Sequence, residues 1–163
     1  MRDEESERGG RDAGSAMGRI EQAVRLRHAG DSAGARALLA GIWAETPPDG
    51  DPFHRCVLAH HLAALTEDPG ERLRWDLRAL EAADAATGGG DGGEGAGGSA
   101  PRIRGFYPSL HLSLAADYHR LGDDDRARSH LARAQARAGA VAGEGFAGGI
   151  RAAIERVAAT LSS

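Results

Sequence analysis

The sequence predicts an all-α fold, an α-α superhelix of about three helical hairpins plus a C-terminal capping helix, and two observations carry that reading. The first is Leu114-Ala115-Ala116-Asp117-Tyr118-His119-Arg120-Leu121-Gly122-Asp123, followed by Ala127, Leu131 and Ala134. It reads as helix, tight turn and helix: Ala115 and Ala127 let two antiparallel backbones approach, Tyr118 and Leu131 fill the gap, and Gly122 supplies the turn. The second is recurrence. Ala23, Ala59 and Ala115 hold the same small-residue position in three helices, spaced 36 and then 56 residues apart.

Each element follows in order. Residues 1–15 are charged and Gly-rich with no apolar periodicity, and are expected to form a disordered tail ahead of one helical domain over 16–163. Met17, Ile20, Ala23 and Val24 share a helical face that should end near Gly30. Asp31 or Ser32 then caps a helix burying Ala35, Leu38, Leu39, Ile42 and Trp43. Pro47, Pro48 and Gly50 end it, and Asp51-Pro52 starts a third helix with the stripe Phe53, Val57, Leu58, His61, Leu62 and Leu65.

Asp68-Pro69-Gly70-Glu71 repeats the start signal as a capping box. The helix it opens has two apolar faces, Leu73, Leu77 and Leu80 on one and Trp75, Ala79, Ala82 and Ala86 on the other, so it calls for neighbours on both sides. Eight of the eleven residues from 88 to 98 are glycine, so 88–100 is expected to be a flexible insert. It lacks the Gly-Lys-Ser/Thr and the preceding strand of a phosphate loop. Pro108 is read as the first residue of the next helix, which ends at Leu121. After Asp123, Ala127, Leu131, Ala134 and Ala138 face inward. A last helix carries Phe146, Ile150, Ile154, Val157 and Leu161 and serves as a cap.

Composition removes several function classes. A chain of 163 residues with 41% apolar content suits one domain. All 20 basic residues are Arg, a usage that with abundant Ala and Gly reads as GC-rich coding; it leaves no lysine for a Schiff base or a nucleotide phosphate. A net charge of −4 argues against a general nucleic-acid binder. The single cysteine, Cys56, permits no intrachain disulfide. Asp3, Glu4, Glu5 and Glu7 stand where a secretory signal would be apolar, and no apolar run has membrane-spanning length, so a cytoplasmic location is expected.

The paired helices resemble tetratricopeptide repeats, whose period is about 34 residues. The third unit matches best; Ala23, Leu26, Gly30, Ala35 and Leu39 carry the first; in the second, Ala59 and Leu62 fit but Thr66 replaces the turn glycine. The chain is similar to short actinobacterial proteins of this type that carry a segment like Gly105-Phe106-Tyr107-Pro108-Ser109-Leu110-His111-Leu112. The resemblance implies that the first helix of each pair lines a concave surface. That surface would comprise Ile20, Val24, Arg27 and His28, then Cys56, His60 and Ala63, then Leu112, Ala116, His119 and Arg120. Chaperone-binding relatives use a lysine and asparagine clamp, and Leu112 and Ala116 stand where such polar groups belong.

Other constellations read as ordinary structure. Cys56 and His60 are one turn apart, as two metal ligands would be, but no shell completes them. Arg126, His130, Arg133 and Arg137, extended by Arg151 and Arg156, form a basic strip read as a solvated outer face. Asp117 and His119 point in different directions, and no nucleophile accompanies them. Trp43 and Trp75 are assigned to the core.

The expected function is therefore a non-catalytic protein–protein interaction scaffold that holds a peptide or protein segment in its concave face, with no cofactor and no metal. A regulatory or signalling adaptor that senses a short peptide or joins a transcription complex is the alternative. Homo-oligomerisation through the end helices is a third reading.

Overall fold

The computed structural model describes residues 16–88, 100–138 and 144–163. The expected tail, residues 89–99 of the expected insert and the side chain of Phe146 lie outside what is described. The described residues are all-helical.

Helix α1 occupies residues 16–28 and buries Ile20 and Ala23. Gly30 closes it at φ +90°, a left-handed conformation that costs glycine nothing, while the Asp31 N–H reaches back to the Leu26 carbonyl. Asp31 then caps α2 (Ser32–Glu45), its carboxylate accepting from the Gly34 N–H at 2.8 Å. An ion pair from Arg19, early in α1, to Glu45, at the end of α2, ties the two helices head to tail.

The same capping logic opens α3 (Pro52–Ala64) and α4 (Pro69–Thr87). Asp51 accepts from the Phe53 and His54 N–H groups, Asp68 accepts from the Glu71 N–H, and a proline occupies each first turn, where its missing donor is harmless. Between them the turn closes without glycine. The buried Thr66 hydroxyl donates to the Leu62 carbonyl at 2.7 Å, satisfying one of the acceptors left at the end of α3.

The segment before Pro108 carries structure of its own. A short helix, α5 (Ala100–Arg104), buries Ile103 against α4, and the chain breaks at Gly105-Phe106 before α6 (Tyr107–Arg120). Gly122, at φ +82°, then turns α6 into α7 (Asp124–Ala138), and α8 (Glu144–Leu161) ends the chain.

Neighbours in sequence are neighbours in space: α2 packs on α3, α3 on α4, α4 on α6, α6 on α7, and α8 on both α6 and α7. Ala23, Ala59 and Ala115 are all completely buried, as close helix approach requires. The apolar core is nevertheless in two parts. One joins α1 to the first turn of α6, through Ile20, Leu39, Leu58, Tyr107 and Leu110 among others. The second joins the rest of α6 to α7 and α8, through Ala115, Leu131, Ile150 and Ile154. The outer face of α4 stays open at Leu77, which is 38% exposed, while the other face buries Ala79 and Ala82 and half-buries Trp75 and Ala86.

Candidate functional site

Where α4 meets α6, between the two apolar cores, the packing turns polar. Asp76 on α4 and Asp117 on α6 are 1% and 0% exposed. A buried charge is tolerated only when paired, and the partners here are unevenly shared. Arg120, one turn from Asp117, donates from Nη1 to Asp117 Oδ1 at 3.4 Å. The Nε of Arg72, one turn before Asp76 on α4, lies 3.0 Å from the same oxygen, but its N–H is not aimed at any acceptor among the described residues. His60 of α3 meets Asp76 Oδ1 through Nδ1 at 3.2 Å.

That leaves the Oδ2 atoms of both carboxyls buried and without a hydrogen-bond partner among the described residues, and Asp76 acts on Asp117 as a like-charged, hydrogen-bonding neighbour. Burial, then the facing Asp76, pushes the Asp117 carboxyl up to about 7, against the opposing pull of Arg72 and Arg120. Two neighbouring buried carboxyls cannot both ionise freely.

Arg120 also faces outward on two sides. With Arg72, Ser32, Thr66, Glu67 and Pro69 it lines a cleft of about 370 Å³ at the mouth of the acid pair. With Ala116 and His119 it lines a second cleft, of about 200 Å³, whose far wall is Arg156, Val157 and Thr160 of α8. The second cleft sets Ala116 and Val157 among Arg120, Arg156 and Thr160, and its His119 is held by Asp124 at 2.7 Å.

The candidate groove residues divide accordingly. Ala116, His119 and Arg120 come together in the α6–α8 cleft, and Leu112 is half-buried against the second core. Arg27 and His28 are exposed on α1, Val24 is half-buried there, and His60 is turned toward Asp76. Ile20 and Cys56 belong to the interior, at 1% and 0% exposure, and so do not line an open surface. Ala63 is buried as well. Burial, then the negative charges of Asp76 and Asp84, lifts the Cys56 thiol to about 12, which keeps it protonated and unreactive.

The basic strip on α7 is also less uniform than its sequence suggests. His130 turns inward, its Nδ1 3.0 Å from Nδ1 of the buried His111, in a column of stacked rings running Tyr107, His111, His130, Tyr118. Burial, then His111 and Arg133, lowers His130 to about 4, so one neutral ring can donate to the other. Arg126 and Arg137 lie over Tyr118 and Tyr107, and Arg126 pairs with Asp123. Trp43 and Trp75 meet edge to face at 5.1 Å, half-buried, each covered by a guanidinium, Arg55 and Arg78.

Sequence reasoning passed over Arg72 and Asp76 and dismissed Asp117. The available signal was a charge on an apolar face: Asp117 stands three residues after Leu114, on the inward side of α6, and Arg72 precedes Asp76 by one turn. No helix among the described residues is long and apolar enough to cross a membrane. No protein-family model, curated protein or solved structure matches the chain.

Proposed function

We propose that this chain is a non-catalytic scaffold of tetratricopeptide type, three helical hairpins and a cap, that holds a peptide or protein segment along the first helices of its hairpins. One observation carries the reading: Ala116, His119 and Arg120, assigned to a groove by the repeat resemblance, line one cleft with Arg156, Val157 and Thr160. Apolar groups set among unlike polar ones suit a side chain and the backbone around it. The sequential pairing of helices and the burial of Ala23, Ala59 and Ala115 support the repeat architecture.

Photo-crosslinking inside the native host tests the function. A photoreactive residue in place of Leu112 or Thr160, beside or within the cleft, is expected to capture a defined protein, and Arg120→Glu with Arg156→Glu to abolish that capture. An adduct pattern indistinguishable from that of a probe at exposed Ala40 on α2 would refute the reading.

A further inference from the structure

The polar joint between the two cores does more than fill space, because one of its cations, Arg120, is also a wall of the α6–α8 cleft. We propose that the Asp76–Asp117 pair is a proton-operated control on the α6–α8 cleft: with one proton shared between them the pair leaves Arg120 to the cleft, and with none it draws Arg120 inward.

The charge count gives the direction. Among the described residues, Arg72 and Arg120 are the guanidinium groups on the pair, and His60 is the hydrogen-bond partner on Asp76. With one proton held between the two carboxyls, a single carboxylate charge faces two guanidinium charges, and the outer one, Arg120, is 48% exposed and in surplus. When that proton leaves, two carboxylates face two guanidiniums in a site water barely reaches, and each cation is needed inside. Arg120 reaches Asp117 at 3.4 Å, a long contact with room to shorten, whereas Arg72 Nε is already 3.0 Å from the same oxygen and can only turn its N–H toward it. The other groups facing this joint do not reverse the sign. Cys56, behind Asp76, stays a neutral thiol, His119 is engaged by Asp124, and Glu67 sits at the mouth of the Arg72 cleft, outside the pair. Acid therefore frees Arg120 for an anionic group of the bound segment, and base withdraws it.

This inference rests on the scaffold reading for its meaning, yet its test contains no partner, so either can fail alone. Side-chain NMR of the full chain would follow the Asp76 and Asp117 carboxyl carbons and the Arg120 Nε–H from pH 5 to pH 9. The pair should release its last proton near neutrality. Across that transition, Arg120 exchange, normalised to exposed Arg36, should slow by about threefold, the usual worth of a partly exposed ion pair. Sulfate, used as an anionic probe, should shift the Arg120 and Arg156 signals with an apparent Kd about threefold tighter at pH 6 than at pH 8. Asp117→Asn, which imitates the protonated acid and so should fold, must abolish both pH responses, and Asp76→Asn must move the Asp117 transition downward. The proposal is overturned if both carboxyls titrate near pH 4, if Arg120 tracks Arg36 throughout, or if sulfate binds the wild type equally at both pH values.

Discussion

Replacing Asp117 by Asn should change how stability depends on pH in a way that can be worked out in advance. Asp117 titrates near 7 in the folded chain against an ordinary value of 3.8, so between those limits the native state holds a proton that the unfolded chain has lost. Its contribution is complete below pH 3.8 and disappears as pH rises through 7, at about 1.4 kcal/mol per pH unit. His61 and His130 act oppositely. Burial holds both near 4 against 6.5, so each removes stability as pH falls through that range. Between pH 4.5 and 6.5 the wild type should then gain stability with pH at a net slope of one proton, and Asp117→Asn at a slope of two. Subtracting the curves cancels the histidines: relative to wild type, the variant should gain about 1.4 kcal/mol per pH unit up to pH 6.5 and level off above about 7.5. Urea titrations at half-unit steps would measure this. A difference curve that is flat across the whole range would refute the account of the buried pair.

Two glycines should respond to alanine in opposite senses: Gly41, inside α2 with open space at its Cβ, should gain roughly 0.5–1 kcal/mol, while Gly122, at φ +82°, should lose about 1 kcal/mol, both read by thermal unfolding. Asp68→Ala removes the cap of α4 and should cost about 1 kcal/mol, with Asp68→Asn largely restoring it. Cys56 should resist a thiol reagent such as dithionitrobenzoate in the native chain and react fully in urea; rapid labelling without denaturant would contradict its burial.

Much of the fold was legible because it is written locally. Caps at Asp31, Asp51 and Asp68 and left-handed glycines at 30 and 122 are fixed by residues within a turn of where they act. The short α5 was not, since Ala100–Arg104 carries too few apolar residues to show a period and is held by Ile103 against α4. Of the candidate site, Ala116, His119 and Arg120, assigned to a groove through the repeat resemblance, share one cleft. Cys56 and Ile20 were misplaced because register assigns a face to a residue without saying whether another helix covers that face.

The acid pair shows the limit more sharply. Asp76 lies 41 residues before Asp117 in the chain, and each alone looks like a solvated charge on an amphipathic helix. Only the packing of α4 on α6 brings them together, and the pairing is costly, since buried like charges weaken the contact that creates them. A stack needing nothing but stability at this joint would place apolar residues there, as it does on both sides with Leu110 and Ala115. The break in the apolar core thus falls at α6, which with α8 forms the cleft, so a change of charge in the joint acts on the cleft through a single turn from Asp117 to Arg120.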